Sequence, residues 1–379
     1  MMKTVGIYVH LPFCEQKCYY CDFVSFAKCS EQEKETYLQA LAQEAKIYQR
    51  FLVGITGKSL YLGGGTPTCL TAKQLGQLFT ILSDFFKLPT GIEITVEANP
   101  GTLNREKLQV LRKVGCNRLS LGVQSFSVHD LQVLGRIHSP RDVYNTYQLA
   151  RQVGFANISL DLMYGLPGQS LLGWRDNLKK AVELEPEHLA LYQLNIEQGT
   201  PFAKLVQNGL LEEFSQDKAF LMYKETSDFL QVHGYRHYEI SNFALPGKEA
   251  IHNSLYWLNE EYLGLGVGAA GYVQGIRYVN TADLDVYQAL LRQGQLPQAV
   301  KEPIKQELAM AETMFLGLRL LKGVSKEKFL KKYGITIENK YGDVLEKLKR
   351  QGLLQETATH VALTKEGLPI ANLVFQEFL

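Results

Sequence analysis

Little in this chain points to secretion, a membrane or a charged partner. Six cysteines in 379 residues are too few for a disulfide scaffold. No apolar run reaches the roughly 18 residues that a membrane span needs. The first apolar stretch, Val5 to Val9, is broken at once by His10 and Pro12, so it does not read as a secretory leader. An excess of either charge is also missing. Against 40 Lys and Arg stand 39 Asp and Glu, a net charge of +1, so no whole-chain field gathers nucleic acid or an anionic bilayer. These absences favour a reducing, cytoplasmic setting, with peripheral membrane contact as the membrane role left open. The 46% hydrophobic and 21% charged composition suits a soluble globular protein, and the length suits two or three domains.

Six β-rich runs recur, at Val5 to Val9, Ser59 to Leu62, Ile92 to Val96, Arg118 to Leu121, Ile158 to Leu162 and Leu189 to Leu194. Each reads as a near-continuous apolar strand. Amphipathic stretches at Glu33 to Arg50, Thr71 to Phe86, Arg105 to Val114, Pro140 to Val153 and Leu171 to Leu184 lie between them. Alternating strand and helix predicts an α/β fold with a parallel sheet, and six units are two short of a closed eight-fold barrel. The pattern weakens after Glu197. A helix is predicted from Leu211 to Val232, a strand at Tyr238 to Phe243, and a glycine-broken stretch, Tyr262 to Val273, reads as backbone packed closely against a neighbour. From Pro303 onwards, a long helix to Leu321, helices at Ser325 to Tyr333 and Tyr341 to Gln351, a hairpin at Leu353 to Leu363 and a last helix suggest a winged-helix module of α+β type. The domains are therefore drawn at 1–240, 241–300 (a linking segment) and 301–379. Residues 301–350 carry 12 Lys and Arg against 7 Asp and Glu, an excess read as a solvated face rather than a DNA grip.

The most specific local feature follows the first strand: Cys14, Cys18 and Cys21 in a Cys-x3-Cys-x2-Cys loop. Structural zinc wants four ligands, and no second cysteine or histidine pair completes such a set. An iron-sulfur cube held by three thiolates fits better, and it leaves one iron open to an outside ligand. Cys29, Cys69 and Cys116 stand alone and read as small packed residues. His10 reads as a support of the metal loop through hydrogen bonds.

The loop resembles that of the radical S-adenosylmethionine (SAM) superfamily. That resemblance implies a partial (β/α)6 barrel, a 4Fe-4S cluster on Cys14, Cys18 and Cys21, and SAM on the open iron. Longer matches narrow it. Tyr8 to Cys14, Gly63 to Thr68, Leu119 to Phe126, Asp161 with Tyr164 to Gly168, and Leu263 to Gly266 resemble the group that contains oxygen-independent coproporphyrinogen III oxidase and the HemW proteins. Carried over, the resemblance implies SAM contacts from Tyr8, Tyr20, Gly64, Gly65, Thr66, Glu97, Gln124, Arg136 and Asp161.

Three features lean towards the HemW branch. Asp22 and Phe23 follow the third cysteine where the oxidases continue Cys-Gly-Cys, the first strand signal begins at Val5 where oxidases carry a long extension, and His252-Asn253-Ser254-Leu255-Tyr256-Trp257 matches a His-Asn-x-x-Tyr-Trp motif. The resemblance then implies a haem chaperone that passes haem to respiratory haemoproteins, with His252, Tyr256 and Trp257 as haem contacts, and it leaves a homodimer open. Imidazole is a good haem ligand, and aromatic faces suit a flat macrocycle. Two alternatives are kept: a radical enzyme acting on coproporphyrinogen III or another tetrapyrrole, and a redox-sensing DNA-binding regulator.

Overall fold

The computed structural model describes residues 4–52 and 54–379; residues 1–3, with which the first domain was drawn to begin, and residue 53 lie outside them. All six expected strands form: β1 Thr4–Leu11, β2 Thr56–Gly64, β3 Glu93–Ala98, β4 Arg118–Gln124, β5 Ile158–Tyr164 and β6 His188–Gln193. They pair in parallel and in chain order. Each connection passes through a helix: α1 Glu31–Phe51, α2 Ala72–Phe85, α3 Arg105–Lys113, α4 Pro140–Gln152 and α5 Leu171–Glu183. The helix starts are set locally. Ser30 with Glu33, Thr71 with Gln74 and Ser139 with Asp142 form reciprocal caps that satisfy otherwise orphaned backbone groups.

The strands are not continuously apolar, and this corrects the sequence reading. Leu60, Leu62, Ile94, Val96, Leu119, Leu121, Leu160, Leu162, Leu189 and Leu191 belong to the core shared with the helices. Alternating with them, Ser59, Tyr61, Thr95, Glu97, Arg118, Ser120, Ser159, Asp161 and His188 occupy the opposite face, where Tyr61 bonds to Glu97, Ser120 and Ser159 to Asp161, Ser159 to His188, and Ser59 to His252. Successive strand residues point to opposite faces, so a period of two separates an apolar outer face from a polar inner one.

The segment 241–300 is no mere link. The short strands β7 Arg236–Glu239 and β8 Asn242–Ala244 extend the sheet beyond β6, and β9 Tyr262–Leu265 adds a further parallel strand beside β1. After it come the antiparallel strands β10 Ala270–Val273, β11 Ile276–Asn280 and β12 Gln298–Pro303. The result is a 12-stranded sheet with β12 and β7 at its two ends, so the barrel is open. The glycine-broken stretch is thus a pair of strands in close contact: a Cβ on Gly264 would lie 1.8 Å from the Ala270 carbonyl oxygen. The expected helix from Leu211 starts later; α6 runs Gln216–Val232.

Residues beyond 303 build a separate core around Met314, Phe329, Leu345, Val361 and Val374. Its elements follow the order expected of a winged helix. They are α8 Gln306–Gly317, β13 Val324–Ser325, α9 Lys326–Tyr333, α10 Ile337–Arg350, β14 Leu354–Glu356 and β15 His360–Leu363, preceded in the main domain by α7 Ile251–Trp257. The three strands form an antiparallel sheet. The module is docked on the main sheet by backbone bonds from Ile240 to Arg319 and from Leu321 to Tyr238, and by the Arg277–Glu312 ion pair.

Glu44 of α1 ties the late strands to the early core. Its fully buried carboxylate accepts from the Gly266 backbone N–H (2.8 Å), the Asn280 amide (2.7 Å) and the Tyr287 hydroxyl (2.7 Å). Burial lifts it to about 7 against the pull of those bonds. Its folded value lies above the unfolded one, so its contribution to stability is full at acid pH and is lost as pH rises through about 7. Glu44→Ala is expected to cost on the order of 3 kcal/mol in chemical denaturation, because it strands three buried donors. Glu44→Gln is expected to show a flatter stability curve than the parent between pH 4.5 and about pH 7, the window between the ordinary carboxyl value and the raised one.

Candidate active site at the strand ends

The cysteine loop leaves β1 through a short parallel pairing of Phe13–Cys14 with Phe26–Ala27. It is stitched to the end of β2, where the Gly65 N–H donates to the Leu11 carbonyl (2.9 Å) and the Thr66 N–H to the Phe13 carbonyl (2.7 Å). Its far side is held by bonds from the Tyr19 N–H to the Leu134 carbonyl (3.1 Å) and from the Gln16 amide to the Gly135 carbonyl (3.0 Å). His10 braces the loop as expected, with one ring nitrogen at the Val24 carbonyl (2.7 Å) and the other at the Tyr8 hydroxyl (3.0 Å).

Cys14, Cys18 and Cys21 are half-buried free thiols. Burial raises Cys14 and Cys21 above the usual thiol range, so a cationic centre is needed to hold them as thiolates. Among the described residues, no three His, Cys, Asp or Glu side chains are grouped tightly enough for a single metal ion. Three thiols spread round one loop suit an iron-sulfur cluster, which three thiolates can hold with one iron left open. Cys69 packs against the main core as expected, and it also lines the small cleft beside Cys18, Thr66, Asn99 and Arg136.

The glycine turn closes over this loop. Gly64 has φ +110°, and a Cβ there would lie 2.6 Å from the His10 ring. Its N–H donates to Glu97 (3.2 Å), whose other oxygen accepts from the Tyr61 hydroxyl (2.7 Å). Burial lifts the Glu97 carboxyl to about 7, with the nearby Asp161 charge adding to the rise and the Tyr61 bond opposing it. The Thr66 hydroxyl accepts from the Asn99 amide (2.8 Å) and lies 3.8 Å from the Cys14 sulfur. Arg136 spans the gap: one nitrogen donates to the Cys18 sulfur (3.5 Å), and another to the Asn99 side chain and the Gly122 carbonyl. Tyr20 neighbours Cys18, Cys21 and Arg136, and burial raises its phenol. Gln124, at a bulge ending β4, adopts φ +64°, a costly conformation for a residue with a side chain.

Asp161 lies opposite Gly122 in the sheet, accepts from Ser120 and Ser159 at 3.0 Å, and is raised by burial. The structure thus gathers Cys14, Cys18, Cys21, Gly64, Gly65, Thr66, Glu97, Gln124 and Arg136 at the carboxyl ends of the parallel strands, where such sheets bind ligands, with Asp161 inside the sheet's polar face.

His252 lies deeper on the inner face, its ring centre 5.1 Å from that of Tyr61. Its N–H and that of Ile251 donate to Glu93 at the start of β3. One ring nitrogen meets the Ser59 hydroxyl and the other the Tyr256 hydroxyl, both at 2.8 Å. Burial pushes its imidazole down to about 3. Both nitrogens are engaged, so here it is a satisfied core histidine rather than a presented ligand. Tyr256 and Trp257 instead line a cavity of about 420 Å³ that also borders Tyr8, Tyr262, Tyr272 and Phe315.

Sequence reasoning missed Asn99, Tyr61 and Arg118. Arg118 is 2% exposed, and among the described residues its Nε has no hydrogen-bond partner. The signal for Tyr61 and Arg118 was the polar alternation within strands taken as wholly apolar.

Residues 8–181 match the Radical SAM superfamily and residues 304–370 the HemN C-terminal domain. The chain is 41% identical over 378 residues to "Heme chaperone HemW" of Bacillus subtilis, covering 98% of each. It is 33% identical over 380 residues to the protein of the same name from Escherichia coli, covering 100% of this chain and 99% of the relative. Among solved structures, coproporphyrinogen III oxidase (HemN) from Escherichia coli matches with a TM-score of 0.87 and 25% identity, covering 99% of this chain and 89% of that one. With the cysteine loop, the glycine turn and the C-terminal module all falling inside these matches, the chain belongs to the HemW family of radical SAM proteins.

Proposed function

We propose that this chain is a haem chaperone: it binds haem and passes it to haem-requiring proteins. The observation that carries this reading is the helix α7, whose Tyr256 and Trp257 border the aromatic cavity, in a chain whose full-length relatives are named haem chaperones. Cys14, Cys18 and Cys21 would hold a 4Fe-4S cluster, which when bound supplies one electron and an open iron for SAM. The chain's own residues supply the rest. The Gly64 to Thr66 turn lets backbone approach the cofactor, Arg136 suits its carboxylate, and ionised Glu97 suits its ammonium. Tyr8, Tyr20, Gln124 and Asp161 complete the set of SAM contacts in this reading.

The likeness to HemN favours one second reading, a radical enzyme that modifies a tetrapyrrole. Three lysines of the module are paired with acids, Lys326 and Lys349 with Glu356 and Lys347 with Glu377, which lessens the positive charge this face would offer to DNA. Among the described residues no helix is long and apolar enough to cross a membrane, so any membrane-bound acceptor of haem would be met peripherally. A second copy of the chain is a further partner in this reading.

Anaerobically reconstituted protein is expected to take up one haem per chain and to leave coproporphyrinogen III unchanged; conversion of the latter with consumption of SAM would support the second reading instead. His252→Ala is expected to weaken haem binding about tenfold, the equivalent of one hydrogen bond, by releasing Tyr256. Unchanged affinity would remove that role.

Glu97 must be ionised to pair with an ammonium, and its carboxyl sits near 7, faced by Tyr61, Asp161 and Arg118. SAM affinity, followed by isothermal titration, is expected to rise on the order of fivefold from pH 6 to pH 7.5. Glu97→Gln is expected to weaken binding and abolish that rise.

A further inference from the structure

The 420 Å³ cavity is built where three parts of the chain meet. Its floor is Tyr8 of β1. One side is α7 with Tyr256 and Trp257, another is the sheet extension with Tyr262, Tyr272 and Arg277, and the last wall is α8 of the C-terminal module with Glu312 and Phe315. The aromatic rings offer flat apolar surface, and Tyr256, Trp257 and Phe315 are only half-buried although they lie between packed elements. Such walls cost free energy unless something covers them.

Charge at the rim is placed differently. Arg277 forms a two-pronged pair with Glu312, through Nη1 and Nη2, and its guanidinium lies 5.6 Å from the centre of the Tyr272 ring. A guanidinium has five donors, and among the described residues the pair with Glu312 engages two of them, which leaves capacity for a second carboxylate. Glu260, the other acid at the cavity, is paired with Lys58. The Lys332 ammonium, which does not itself line the cavity, donates to the carbonyl of the lining residue Asn259.

A flat apolar body with acidic edge groups satisfies both features. We propose that haem enters this cavity edge-first, its face against Tyr262 and Phe315 and a propionate on Arg277, so that the C-terminal module forms one jaw of the haem site. This rests on the haem-binding reading above and names the place and the anchoring residues. The cavity is within the range of small-ligand sites, roughly 300–1,000 Å³, but too small to engulf the whole macrocycle with its side chains. Part of the plane stays outside, as a carrier that must release its cargo requires. Tyr8 lies on the cavity floor and bonds to His10 under the cysteine loop, so the haem edge would lie next to the cluster-bearing end of the sheet.

The test uses the full-length, reconstituted protein and two probes, haem and haem dimethyl ester, titrated by visible absorption. Parent protein is expected to prefer haem over the ester. Arg277→Gln is expected to lose about tenfold in haem affinity, the worth of one charge-assisted bond, and to bind the ester as the parent does. Phe315→Ala is expected to weaken both probes, with cluster absorption and SAM affinity unchanged. Phe315 is half-exposed, so this second variant keeps the test alive if unpairing Glu312 harms folding. Haem binding by the parent that survives both substitutions, or an equal preference for acid and ester, overturns the cavity proposal alone. A parent protein that takes up no haem overturns the functional reading and the proposal with it.

Discussion

Two backbone hydrogen bonds hold the candidate site together: Gly65 to Leu11 and Thr66 to Phe13. They fasten the loop that carries the cysteines to the end of the neighbouring strand, so three thiols that follow one another in the chain stand beside a turn fifty residues away. The fastening works only because positions 64 and 65 are glycine. At Gly64 a side chain would strike His10, and at Gly65 it would strike the loop backbone 2.8 Å away. The loop, the turn and the histidine beneath them therefore behave as one unit. β1 is paired on both sides, by β2 and by β9, which keeps that unit on a rigid base.

The inner face of the sheet poses the opposite problem, since polar and charged groups are enclosed there with little water. Ser59, Ser120, Ser159, Tyr61 and Tyr238 spread hydrogen bonds across it, and the buried Arg118 faces the carboxylates of Glu97 and Asp161. The balance is not complete. Burial still outweighs these partners at Glu97, which is left near neutrality in its titration and so free to respond to a cationic ligand. A fully paired interior would be more stable and less useful for binding.

The sheet extension and the C-terminal module shape the second locus. Without β9 to β12 there would be no wall carrying Tyr262, Tyr272 and Arg277, and without α8 that wall would face solvent. Tyr8 belongs to both loci, contacting His10 by hydrogen bond and lining the aromatic cavity. The two are thus neighbours through one residue, although the chain reaches them more than two hundred residues apart.

The parallel strands, their helices and the winged-helix order of the last segment were legible in the chain, because periodicity and local capping act over a few residues. Cys14, Cys18 and Cys21 were legible too, since ligands on one short loop need no distant contact to declare themselves. Asn99 was not, nor were the partners of Tyr61 and Arg118, whose inward placement the strand alternation did carry, nor the engagement of His252 by Ser59 and Tyr256, because each depends on residues brought together across the sheet. Sequence alone determined which chemical groups are present and on which strand or loop each lies. Tertiary structure decided which of them face the interior, which partners each one meets, and that the segment 241–300 completes the sheet rather than spanning a gap. The physical reason is that strand pairing and burial set distances and dielectric surroundings, and neither quantity is carried by the order of residues along the chain.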